Sequence, residues 1–298
     1  MLFRDAITSL FPSDITLFQR WPVSYTQVEH CRLAYLDHGV GTPLVLLHGF
    51  GGSMWQWEHQ QHSLSRHCRI LTPDLPGSGL SEKPRIAYSP EYLVRAMQTF
   101  IHYLNLHPVT LIGHSMGAGL ALALALTEPG RIARLVLIAG FPPRLLNSIA
   151  SPLYAAFLRT SPPLWLARLG NRIAGRWLAR RVLQEIIHQD RLITPLVVER
   201  SYRARVDPGF LPPLYSLMRH LEEWDTTYGL RLAEIQIPTL IIWGTHDRIF
   251  PLEVGKDLHA LLSRSSFLVI PETGHMPQWE SPDQVNAAIL EFLQIREG

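Results

Sequence analysis

Cysteine is scarce: two in 298 residues, Cys31 and Cys68, too few for a disulfide framework. Each sits in an apolar stretch, so both are expected to be buried free thiols, which suits a reducing compartment. Net charge is small as well, +2 with 17% charged residues, so no strong global field points to nucleic acid. No Lys/Arg run, zinc-ligand spacing or phosphate-binding glycine loop occurs. No apolar run approaches the ~20 residues of a membrane span. The opening stretch MLFRDAITSLFPSD lacks an apolar core and a small-residue cleavage site, so it does not read as a secretory signal. These absences make a cytoplasmic location the expectation. No repeat or low-complexity segment is found, and nothing calls for a metal or an organic cofactor.

What is present is a globular composition, 47% hydrophobic, long enough for one large core with a small second unit. From about Arg32 to Ala139, short apolar runs alternate with helix-like segments. The runs PLVLLHG (Pro43–Gly49), RILTPD (Arg69–Asp74), VTLIGH (Val109–His114) and LVLIAG (Leu135–Gly140) read as parallel strands covered on both faces. Ser89–Leu104 is helical, with Ser89 as N-cap and Pro90 in the first turn. Gly117–Arg131 is an Ala/Leu helix closed by Pro129-Gly130. Such alternation predicts an α/β parallel sheet.

The alternation stops near Pro142. From Pro142 to Leu230 the chain carries twelve Arg against seven Asp/Glu and no strand-like run, which predicts several short helices forming a cap inserted in the sheet. Strand patterns return in Ile237–Gly244 and Ser266–Glu272. A final amphipathic helix, Ser281–Ile295, opens on Ser281 as N-cap. The expected units are a leader at 1–22, a core at 23–141 and 231–298, and a helical cap at 142–230.

The chemistry centres on Gly113-His114-Ser115-Met116-Gly117. A strand before and a helix after are the context of a nucleophile elbow. There the serine hydroxyl points out of the sheet toward a helix N-terminus that favours negative charge. A serine needs a base, and in this chain order an acid and then a histidine should follow. Asp247, in WGTHDRIFP, and His275, in PETGHMPQWE, each fall just past the end of a late strand, where reacting groups collect in such sheets. His275 would take and return the proton, and Asp247 would fix its tautomer. The oxyanion needs two N–H donors: Met116, and Phe50 in the loop HGFGGS. His48 reads as structural, because one base suffices.

Together these blocks resemble the α/β-hydrolase family. LLHGFGGS, PDLPGSGLSEKP, GHSMGAG, GTHDRIFP and GHMPQWESP stand in that family's order across nearly the whole chain. The resemblance implies an α/β-hydrolase fold: a mostly parallel sheet of about eight strands flanked by helices, with a helical cap after the sixth. It implies Ser115, Asp247 and His275 as the triad, and Asp74 and Gly77 as shapers of a turn near the site. Ala118 stands where the family usually has a second glycine.

Serine at the elbow excludes the aspartate-dependent haloalkane dehalogenases and epoxide hydrolases of this fold. A carboxylesterase working through an acyl-enzyme is the favoured reading, its substrate a small, apolar ester. A C–C bond hydrolase of vinylogous diketones is the nearest alternative. His114 before Ser115, and Gly51-Gly52-Ser53 in the oxyanion loop, depart from the Gly-Asn-Ser and Gly-Pro-Gly often found in such enzymes. Acyl transfer and perhydrolysis share the triad, and a non-catalytic ligand-binding protein is the remote alternative. Trp55, Trp57, His114, Phe141, Phe250 and Met276 are the candidate substrate-pocket residues.

In the cap, Arg168, Arg172, Arg176 and Arg180 recur at four-residue steps, with Leu166, Leu169, Ile173, Trp177 and Leu178 largely opposite. Either this helix lays its apolar side over the site, or it meets an anionic membrane or lipid interface. Gly170 and Gly175 weaken it. The apolar residues of the leader, Leu2 and Phe3 among them, would pack on the domain or meet a partner or lipid.

Overall fold

The computed structural model describes residues 21–160 and 162–295, so the leader expected at 1–22 lies outside the described residues except for Trp21 and Pro22. Eight strands form one sheet in the order β1-β2-β4-β3-β5-β6-β7-β8. Their ranges are Ser24–Val28, Cys31–His38, Pro43–Leu47, Arg69–Pro73, Val109–His114, Ile132–Ile138, Thr239–Gly244 and Ser265–Ile270, for β1 to β8 in chain order. The β1–β2 and β2–β4 pairs are antiparallel and the rest parallel. β5 and β7 are buried at every residue, as parallel strands covered on both faces must be.

Helices cover both faces. On one lie α2 (Pro90–Tyr103) and α3 (Met116–Thr127); on the other lies α1 (Glu58–Leu64), beside the C-terminal helix Pro282–Phe292. Ser89 caps α2 by accepting from Tyr92 N at 3.2 Å. α3 is buried from Met116 to Ala125, which explains an Ala/Leu composition without a polar face. A Cβ at Gly117 would overlap the Leu47 carbonyl, so glycine lets α3 approach β3 this closely. Ser281 occupies the cap position of the C-terminal helix, but its hydroxyl lies 3.2 Å from Thr273 Oγ1 and makes no capping bond. Both cysteines are buried and free, and burial pushes the Cys31 thiol up to about 11.

The chain between β6 and β7 is helical among the described residues. It holds α4 (Pro152–Thr160), α5 (Leu164–Ile186), α6 (Pro195–Val206), α7 (Leu211–Arg219) and α8 (Leu221–Thr227). α5 is interrupted at Gly175, whose φ of 49° and ψ of −127° break the helix without steric cost. The break splits the residues expected to form one amphipathic helix. Leu166 and Leu178 line a cavity over the core, whereas Trp165, Ile173 and Trp177 are exposed. The apolar side of α5 therefore covers the core only in part.

Candidate active site

Ser115 follows β5 directly and precedes α3. Its φ of 51° and ψ of −117° lie in a region that L-residues rarely enter. The turn is held by Ser115 N donating to Ile138 O at 2.9 Å, and by Gly113, where a Cβ would overlap the Gly117 carbonyl. Met116 N, at the start of α3, has no hydrogen-bond partner among the described residues, and neither has Phe50 N. The Phe50 loop is pinned on both sides: Gly52 N donates to Gly49 O, and Gly49 N to Gln56 Oε1, each at 3.0 Å.

Asp247 lies beyond β7 and His275 beyond β8. Asp247 Oδ1 accepts from Ile249 N at 2.8 Å and Phe250 N at 2.9 Å, leaving Oδ2 to face His275 Nδ1 at 2.8 Å. A carboxylate partner makes Nδ1 the donor, which leaves the Nε2 lone pair available as a base. The His275 backbone is fixed from two directions. Its N donates to Ile186 O at 2.9 Å, and its carbonyl accepts from His114 Nε2 at 2.8 Å. Burial first, then the neighbouring His275, holds His114 well below the usual imidazole range. Ser115 Oγ makes no hydrogen bond to a described residue in this conformation, and free active sites commonly tighten only around substrate. Ser115 and His275 line one cavity of about 70 Å³, walled chiefly by apolar groups.

His114, Phe141, Phe250 and Met276 line that same cavity, and Trp55 lines an adjoining one. Trp57 does not belong with them. It is fully buried on the opposite face of the sheet, among Leu44, Leu64 and Val285. The short turn Met54–Trp57 presents Trp55 and Trp57 in different directions, which neighbourhood in sequence could not distinguish. His48 donates from Nδ1 to Gly49 O and accepts from Leu75 N, and burial pushes it down to about 4. Asp74 accepts from Met54 N and Leu80 N, both at 2.6 Å, and burial raises it to about 6. Both therefore tie loops behind the site.

A profile of the alpha/beta hydrolase fold matches residues 42–282. The chain belongs to this family. It is 31% identical over 283 residues to 2-hydroxy-6-oxononadienedioate/2-hydroxy-6-oxononatrienedioate hydrolase 2 of Pseudomonas putida, across 88% of this chain and 92% of that protein. The meta-cleavage product hydrolase of Pseudomonas fluorescens IP01 superposes with a TM-score of 0.80 at 25% identity, covering 91% of this chain and 97% of that one. A thermophilic esterase from Thermogutta terrifontis gives a TM-score of 0.74 at 25% identity, covering 91% and 98%.

This α/β hydrolase uses further residues that the sequence did not single out. Glu280 accepts from Gly274 N and His188 N at 2.8 Å and from Gln189 N at 3.0 Å, joining the histidine loop to the end of α5. Burial raises its pKa. Gln56 shapes the Phe50 loop. Glu280 lies within GHMPQWESP and Gln56 just beyond LLHGFGGS, and neither has a stronger local signal, because their partners are backbone groups placed only by the fold. His188, His246 and Glu272 bring potential metal-ligand atoms within 4.8 Å of one another. The two imidazoles stack at 4.0 Å and 17°, so their in-plane lone pairs run side by side and do not converge on a common point.

Proposed function

We propose that this α/β hydrolase cleaves carboxylic esters through an acyl-enzyme. Ser115 Oγ attacks the carbonyl carbon while His275 Nε2 takes its proton. The oxyanion is received by Phe50 N and Met116 N, two preorganised donors. Collapse expels the alcohol, which takes the proton back from His275. Water then attacks the acyl-enzyme by the same route and releases the acid. The observation that carries this reading is the strained Ser115 at a helix start, sharing a cavity with an Asp247-oriented His275. We propose that the helical insertion, 142–230, acts as a cap that selects substrate, because its residues Tyr154, Leu158 and Ile186 wall that cavity. The exposed outer face of α5 is proposed to meet an anionic lipid interface.

C–C hydrolysis of a vinylogous diketone is the second reading. It is favoured by the relatives named as meta-cleavage and 2-hydroxy-6-oxo acid hydrolases. One assay separates the two: p-nitrophenyl esters from acetate to palmitate run beside a diketone substrate. The expected outcome is ester turnover that disappears in Ser115→Ala, with circular dichroism unchanged. Diketone turnover far above every ester would give the C–C reading precedence, and undiminished ester turnover in Ser115→Ala would remove Ser115 from the chemistry.

A further inference from the structure

Most arginines of the helical insertion are answered by a partner. Arg176 and Arg203 bond Glu199, Arg200 meets Glu58, and Arg180 donates to Ile193 O. Arg205 differs. It lies near the end of α6, on the same helix face as Ser201 one turn earlier, and both line a cavity of about 360 Å³. Its backbone carbonyl accepts from Asn171 Nδ2, but its guanidinium has no hydrogen bond or ion pair among the described residues. The residue is half-buried, which fits a side chain facing a cavity. The carboxylate of Glu185, which like Arg205 acts on Tyr154, accepts from Ser151 Oγ at 2.6 Å. Burial lowers the Arg205 pKa, opposed only by the nearby Tyr154 hydroxyl. A guanidinium nevertheless stays charged in proteins.

This cavity continues into the one that holds Ser115: Phe50, Gln56, Tyr154 and Ile186 line both. Its remaining wall is mainly apolar, with Phe157, Leu166 and Leu214 contributing. In such surroundings a charge lacking a counter-ion is costly, and its attraction for an anion is screened less than in water. The planar fork also matches a carboxylate with two parallel hydrogen bonds. We infer that Arg205 forms an anion subsite at the far end of the substrate cavity, so that the preferred substrate carries a carboxylate remote from the bond cleaved at Ser115. This inference rests on the hydrolase reading above and narrows its substrate class.

The test uses mono-p-nitrophenyl esters of linear dicarboxylic acids, from succinate to sebacate, each paired with its ω-methyl ester. The series scans the unknown span from Ser115 to the guanidinium. For the best-fitting length, kcat/KM for the free carboxylate is expected to exceed that of its neutral twin at least ten-fold. The ratio should collapse toward one in Arg205→Gln and fall between in Arg205→Lys, chiefly through KM. No preference at any length in the wild type, or a ratio that survives Arg205→Gln, overturns the subsite. If wild type hydrolyses no ester in the series, the ester reading fails by itself. Calorimetric binding of suberate against dimethyl suberate to Ser115→Ala, with and without Arg205→Gln, then decides the subsite. Tighter suberate binding that needs Arg205 supports it, and equal binding overturns it. Arg205→Lys keeps the charge should the glutamine variant fail to fold.

Discussion

Ser115 sits in a backbone conformation that costs on the order of 1–3 kcal/mol for a residue with a side chain. The cost is tolerated because Ile138 O, Gly113 and Gly117 leave the chain no other path between β5 and α3. At this scale the division of labour around His275 is testable. Asp247 spends one oxygen on two backbone donors and the other on the imidazole. Asp247→Asn keeps the shape, but its amide N–H would favour the opposite imidazole tautomer, with Nε2 protonated. The expected result is a fall in kcat of about 10³–10⁴-fold with folding intact. A loss below ten-fold, measured alongside circular dichroism, would show that Asp247 does not orient the base. Ser115, Asp247 and His275 were legible in sequence because each ends a strand whose apolar run is visible. Glu280 and Arg205 were not, because groups that act on them, His188 N and Tyr154, lie far along the chain; Gln56 was not, because only the folded turn aims its amide oxygen at Gly49 N.

At the scale of elements, the strands and long helices were legible from periodicity, while the insertion was legible only as helical. Gly175 decides its shape. A helix interrupted there cannot keep Arg168 to Arg180 on one side and the apolar residues on the other. What the break leaves outside is an exposed apolar set, Trp165, Ile173 and Trp177, beside exposed Arg168, Arg172 and Arg180. Aromatic and aliphatic groups next to cations complement an anionic interface. Co-sedimentation with phosphatidylglycerol vesicles is therefore expected, weakening with salt and in the Ile173→Ser/Trp177→Ser double variant. Wild-type protein left in the supernatant at low salt would rule the contact out. Among the described residues no helix is long and apolar enough to cross a membrane, so contact would lie at the surface.

For the whole molecule, buried titratable groups behind the site couple its stability to pH. His48 is lowered to about 4, so its neutral form contributes stability that is present above about pH 6.5 and lost as pH falls toward 4. His114 acts in the same direction. Asp74, raised to about 6, has the opposite sign: its contribution is present below about pH 4 and lost as pH rises through about 6. Each group changes stability by at most about 1.4 kcal/mol per pH unit inside its window. The fall in melting temperature from pH 7 to 4.5 should be shallower in His48→Asn than in wild type, and steeper in Asp74→Asn. Parallel curves for all three proteins would mean that neither group is perturbed as described.

The sequence by itself determined the α/β-hydrolase fold and the order of the blocks that end at Ser115, Asp247 and His275. Alternating apolar runs and turn glycines are local properties, and a parallel sheet carries its reacting groups at strand ends. Only the tertiary structure decided that Trp57 turns into the core while Trp55 faces a cavity, that His114 clamps the His275 carbonyl, and that Arg205, beyond Ser115, stands without a counter-charge among the described residues. Those outcomes depend on which distant surfaces meet, and burial, hydrogen bonding and ion pairing have no local signature until the chain has packed.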